Sequence, residues 1–133
     1  MLLGYMLAAF VFHFCEVNAY HQVPDLFFMS AAPAVSVCVL SIPIFDMIRV
    51  SLSRIRHHRS PFQADKNHIH HLLLQTGLTH LQTTAVLLVI SILLIGLGIL
   101  GRNWNMWLLV AVDFTICAVF TLIIKLIIDK KNA

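Results

Sequence analysis

The sequence predicts an all-α membrane protein, a polytopic helical bundle of about four transmembrane helices carrying a histidine-bearing polar loop. Three observations lead there. The 133 residues are 59% hydrophobic and only 11% charged, with a mean hydropathy of +0.88, and such a surplus of apolar surface needs lipid to cover it. The apolar residues fall into long runs near the ~20 residues that a helix needs to cross a bilayer. The basic residues are concentrated at Arg49, Arg54, Arg56, Arg59 and Lys66, and again at Lys125, Lys130 and Lys131. That is the signature of cytoplasmic loops rather than of nucleic-acid binding.

The first span is expected at about residues 1–17, slightly short, with His13 and Glu16 forming an interfacial pair one helical turn apart. It shows no basic leader and no clear cleavage site, so a signal peptide is a poor fit. Residues 18–25 read as a polar loop broken by Pro24. The second span is expected at 26–45, bent by Pro33 and Pro43, because a proline inside a helix removes one backbone bond. Asp46 then sits at the water boundary, where Arg49 one turn on is its simplest partner. Ligand-facing acidity beside the histidines is its second reading.

From Met47 to Arg59, Ile48, Leu52 and Ile55 recur on one helical face and Arg49, Ser53 and Arg56 on another. This predicts an amphipathic helix, lying on the membrane surface or prolonging the preceding span. Ser60-Pro61 ends it. The next stretch, Ser60 to Leu74, is polar and holds three of the eight histidines. Asp65 is the expected N-cap of a short helix over residues 66–76, with Gly77 as its left-handed stop. Thr79 and Gln82 form a capping box that opens the following helix.

The third span is expected at 83–101, with Gly96 and Gly98 available for close helix packing. A polar turn at 102–105 follows, where Trp104 and Trp107 suit the interfacial aromatic belt. The fourth span is expected at 106–128. Asp113 lies inside it, and an intramembrane acid must be satisfied within the bundle or near the surface. Cys15, Cys38 and Cys117 have no paired spacing and read as buried thiols. Four spans place both termini and loop 47–82 on one side. All Lys and Arg except Arg102 share it, so that side is cytoplasmic.

The histidine loop is the candidate site. In a helix starting at Lys66, His68, His70 and His71 fall in the first turns, where backbone N–H groups and the helix dipole favour an anion. His68 and His71 would share a face. A phosphate or diphosphate held by His68, His70 and His71, with Lys66 and Arg59 near and Asp46 and Asp65 in support, fits this pattern best. A zinc site is the weaker fit, because no cysteine is close and three converging imidazoles need a later helix start. The remaining alternative is a histidine cluster that is solvated and only structural.

Ser60-Pro61-Phe62, Ala64-Asp65-Lys66 and His68-Ile69-His70-His71-Leu72-Leu73, with Pro43-Ile44-Phe45-Asp46 before them, carry a further signal. They resemble the cytoplasmic loop of the polyprenyl-phosphate N-acetylhexosamine-1-phosphate transferases, glycosyltransferase family 4, and most of all its bacterial undecaprenyl-phosphate N-acetylglucosamine branch. The resemblance implies transfer of a phospho-sugar from a UDP-sugar to undecaprenyl phosphate at the bacterial plasma membrane, with release of UMP and with Mg2+. It assigns His68, His70 and His71 to substrate phosphates, and implies that the aspartate motifs holding the metal lie upstream of Met1. The chain thus resembles the C-terminal portion alone, expected to be inactive without its missing N-terminal part. A non-enzymatic subunit binding anionic lipid headgroups and a histidine-based metal-handling protein are the alternatives. No nucleic-acid partner is expected.

Overall fold

The computed structural model describes residues 2–20, 24, 28–58 and 68–132. Among them the chain forms six helices and no strand: α1 Leu2–Ala19, α2 Ala32–Val39, α3 Ser41–Arg56, α4 Ile69–Gln75, α5 His80–Leu100 and α6 Met106–Asn132. The architecture is an all-α membrane bundle. Two helices are long and apolar enough to cross a membrane, at His80–Leu100 and Met106–Lys131, and α2 with α3 makes a third if that bent pair counts as one span. At 1.5 Å per residue, the 21 residues of α5 reach roughly 30 Å, the thickness of the hydrocarbon core.

The expected second span is not one bent helix. It breaks at Leu40, and α2 and α3 meet there at 74°. Pro43 accounts for the place. Without an N–H it cannot bond the Val39 carbonyl, and its ring would strike that carbonyl in a continuous helix. The chain therefore starts a new helix at Ser41, which leaves Pro43 in a first turn where no N–H is needed. Pro33 likewise occupies the first turn of α2 rather than a helix interior. Residues 25–27, the expected start of this span, lie outside the described residues.

Ser41 holds the break to α6. Its Oγ lies 2.8 and 2.7 Å from the two carboxylate oxygens of Asp113, and 2.8 Å from the Cys38 carbonyl left open by the break. Asp113 is fully enclosed, as an acid in a bundle interior must be if it is to find a partner. Two apolar clusters pack on either side of this point. One joins Ala31, Ala34, Val35 and Cys38 of the α2 region to Leu109. Gly98 lets α2 approach α5 here, since an added Cβ would meet Cys38 Cβ at 2.9 Å, whereas Gly96 faces open space. The other cluster joins Ile69, Leu72 and Leu73 of α4 to Ile124, flanked by Phe45, Val86 and Phe120.

The turn between α5 and α6 is tied to α2, because Arg102 O accepts from Ala31 N at 3.0 Å and from Ser30 Oγ at 3.1 Å. Asn105 caps α6, accepting from Trp107 N at 2.9 Å. α1 lies along α2, and the buried Asn18 fixes its end by accepting from Met29 N at 3.0 Å. The exposed His13–Glu16 pair, 4.0 Å apart, adds little in water.

Replacing Ser41 with Ala should cost about 1–3 kcal/mol, because Asp113 then keeps no hydroxyl partner in an enclosed site. Asp113→Asn should cost less, since its amide still accepts from Ser41 and can donate to a carbonyl. Thermal unfolding in detergent, compared across the two variants, measures both.

Candidate functional site

Pro43 lies three residues before Asp46, and the new axis that begins at Ser41 carries Asp46 to the start of α4. There the carboxylate is shared. Oδ1 accepts from Arg49 Nη2 at 2.8 Å and from the Ile69 backbone N–H at 3.0 Å. Oδ2 is 2.8 Å from His68 Nδ1. Asp46 and Arg49 are largely shielded, with side chains 13% and 16% exposed, while His68 is 45% exposed. Shielding of this degree makes charge-assisted bonds stronger than on an open surface.

His68, not Asp65, is the N-cap of the histidine helix. Its backbone is extended, at φ −66° and ψ 152°, and it makes no side-chain capping bond. The capping acceptor comes instead from another helix, since Asp46 takes the first N–H of α4. The helix therefore starts at Ile69, where that contact is made, and not at Lys66. Asp65, Lys66 and Arg59, all expected at the site, lie outside the described residues. So do Ser60-Pro61-Phe62 and Ala64.

The expected pairing of His68 with His71 is also corrected. The 100° step applies only inside a helix, and His68, in extended backbone, turns its ring toward α3. His70 and His71 are in the first turn, where their rings stack with centroids 4.3 Å apart and 21° between planes. With an acceptor-only carboxylate beside it, His68 Nδ1 is the donor, and its Nε2 is left to accept a proton or, once protonated, to donate to an anion. This tautomer follows from the hydrogen-bond network.

The far end of α4 is closed by α6. Lys131 Nζ donates to Thr76 O at 3.2 Å and lies 3.5 Å from Gln75 O, placing a cation on the last carbonyls of the helix. Gly77 follows with φ +103°, and an added Cβ would meet Lys131 Nζ at 3.0 Å. The Thr79–Gln82 capping box is formed in both directions. Lys131 was not legible as a site residue, because its partners are 55 and 56 positions away and nothing local marks it.

Among the described residues, no group of three or more His, Cys, Asp or Glu could hold a metal ion. Magnesium prefers several oxygen ligands. Here both oxygens of Asp46 are engaged with Arg49, His68 and Ile69, and Asp113 is enclosed beside Ser41. The described residues do not fit a magnesium site.

Part of the sequence is similar to known proteins. It is 35% identical over 81 residues to the undecaprenyl-phosphate alpha-N-acetylglucosaminyl 1-phosphate transferase of Pasteurella multocida, covering 59% of this chain and 23% of that protein. The enzyme of the same name from Haemophilus influenzae is 34% identical over 77 residues, 56% of this chain and 22% of the relative. That of Escherichia coli K12 is 32% identical over 71 residues, 53% of this chain and 19% of the relative. Over that stretch the chain is homologous to these transferases. They are the branch that the His-x-His-His loop resembles, and the match is to a C-terminal portion of them. The matched stretch spans about a fifth of the length of these relatives. No family model and no solved structure matches.

Asp46→Ala should free the start of α4 and cost about 0.5–2 kcal/mol, the usual loss for a removed N-cap. Amide exchange at Leu72 and Leu73 should then quicken by roughly two- to thirtyfold, while amides in the middle of α5 keep their rates. Lys131→Met should act in the same direction from the other end, and by less.

Proposed function

We propose that this chain supplies the phosphate-facing C-terminal part of a phospho-N-acetylglucosamine transferase acting on undecaprenyl phosphate. In the reaction, the lipid phosphate attacks the β-phosphate of UDP-N-acetylglucosamine and UMP leaves. The observation that carries this reading is the Asp46–His68 pair at the head of the homologous histidine helix. Asp46 fixes the His68 ring and leaves Nε2 to meet a phosphate oxygen, and Arg49 balances the carboxylate. His70 and His71 add donors on the next positions. In such a site each charge-assisted contact contributes about 1.5–3 kcal/mol.

The site belongs, in this reading, on the cytoplasmic side of the bacterial plasma membrane. The basic residues of α3 and the Lys130-Lys131 end of α6 support that placement, since they flank α4, whereas Arg102 lies at the opposite turn.

The test of function is binding. UDP and undecaprenyl phosphate, titrated separately into the chain in detergent, should bind weakly. His68→Ala should lower the affinity about tenfold, in line with the loss of one charge-assisted contact, with His71→Ala in the same direction. Unchanged affinity in both variants would remove the phosphate reading. With Mg2+ present, the chain alone should release no UMP from UDP-N-acetylglucosamine and lipid phosphate. Sidedness has its own measurement, in a Cys15→Ala background. A cysteine at Asn103 should react with an impermeant thiol reagent outside intact cells and one at His57 should not; the reverse pattern would overturn the topology.

A further inference from the structure

Ser41 stands among more oxygens than its hydroxyl has hydrogens. Around Oγ lie Asp113 Oδ1 at 2.8 Å, Asp113 Oδ2 at 2.7 Å, the Cys38 carbonyl at 2.8 Å and the Val37 carbonyl at 3.0 Å. A hydroxyl brings one hydrogen and two lone pairs. Separations this short are those of O–H···O bonds, so a second hydrogen is needed to hold the group together.

The carbonyls decide where the Ser41 hydrogen goes. Val37 O already accepts from Leu40 N at 3.0 Å. Cys38 O receives no backbone N–H from α3 across the break, and Cys38 is buried; a buried carbonyl is rarely left without a donor. With its hydrogen on Cys38 O, Oγ turns lone pairs toward Asp113. An ionised carboxyl would meet them lone pair to lone pair, at 2.7 Å, in a fully enclosed position. A neutral carboxylic acid supplies the missing hydrogen. One of its oxygens donates to Oγ, and the other accepts from the Cys38 thiol, which is bonded to it.

The surroundings point the same way, because an enclosed charge without a counter-charge is costly. Among the described residues, the polar side chains bonded to Asp113 are Ser41 and Cys38, and Cys117, one turn along α6, is the other titratable group beside it. α5 carries no titratable side chain between Leu81 and Gly101. On α3, Asp46 and Arg49 pair with each other. α4, with His70 and His71, packs at Ile124, about three turns along α6, and Lys131 is farther still. Arg102 stands at the opposite turn.

We propose that Asp113 is a carboxylic acid in the resting bundle, donating to Ser41, and that loss of this proton unlocks the break between α2 and α3. The inference rests on the bundle geometry and is independent of the transferase reading. On ionisation the proton passes to solvent and its electron pair stays on the carboxylate. The carboxylate then competes with Cys38 O for the single Ser41 hydrogen, and one buried acceptor goes unmet. Ser41 begins the axis that carries Asp46 to the head of α4, so the loosening reaches the histidine helix.

The experiment uses the full chain in a detergent free of ester and carboxyl groups. At neutral pH the infrared spectrum should show the carbonyl band of a protonated carboxyl, shifted in heavy water and absent from Asp113→Asn. Labelling the wild type with isotopic aspartate should move the band, an assignment that needs no variant to fold. Raising the pH should remove it. Over the same range, amide exchange at Leu72 and Leu73 should quicken about fivefold relative to Asp113→Asn at the same pH, the effect of one lost hydrogen bond. The Asn amide stays neutral, donating and accepting at every pH, and amides in the middle of α5 should show no such difference. Absence of the band at neutral pH, or its survival in Asp113→Asn, overturns the acid. So does a band that appears only after sodium and potassium are withdrawn, which would make these oxygens a cation site. A band that persists at every pH at which the chain is folded overturns the unlocking. A band that vanishes while Leu72 and Leu73 keep the exchange of Asp113→Asn overturns it as well.

Discussion

A seven-residue helix is too short to hold itself together in water, and α4 exists because one carboxylate from elsewhere organises its beginning. Asp46 gives α4 its first acceptor, orients the His68 ring and takes the Arg49 charge in the same 13%-exposed position. A negative group at the head of a helix and a positive one at its tail both oppose the helix dipole favourably. Asp46 and Lys131 provide that pair from α3 and α6, so the histidines are displayed by a segment whose ends both belong to other helices.

The position of Asp46 in turn depends on events deeper in the bundle. Pro43 forbids a continuous helix, the chain turns by 74° at Leu40, and Ser41 fastens the turn to the enclosed Asp113. Only the new axis of α3 carries Asp46 toward α4. Phe45, adjacent to Asp46, packs against the cluster beneath α4, made of Ile69, Leu72, Leu73 and Ile124. Polar fixation and apolar support therefore reach the histidine helix from neighbouring positions of the same segment. A buried polar contact between helices, modest in energy, thus bears on a site at the surface.

Much of this was legible in the residues because its causes are local. The apolar runs of α5 and α6, the Thr79–Gln82 capping box, the Gly77 stop and the Asp46–Arg49 pair all follow from spacing of three or four positions or from the special backbone of glycine. What failed was whatever depended on tertiary contact. Asp65 is a good local cap, yet the helix starts at Ile69, because a carboxylate 23 positions earlier accepts the first N–H there. His68 and His71 were expected on one face, but a face exists only within a helix and His68 precedes it. The second span was expected to bend, as prolines bend helices, and instead it divides, leaving both prolines in first turns. The clamp by Lys131 and the Ser41–Asp113 bond join positions 55 and 72 apart, and no local pattern announces either.

Those long separations also order the assembly of the site in time. Contacts between distant positions form only after the loops that join them have closed, and that closure is what slows folding. α5 and α6 are long and apolar and can form in the bilayer on their own hydrogen bonds. α4 has no such independence: its head waits for the turn at Leu40 and its tail for the far turns of α6. On this ground the histidine helix is expected to order after α5 and α6, on a scaffold that they provide.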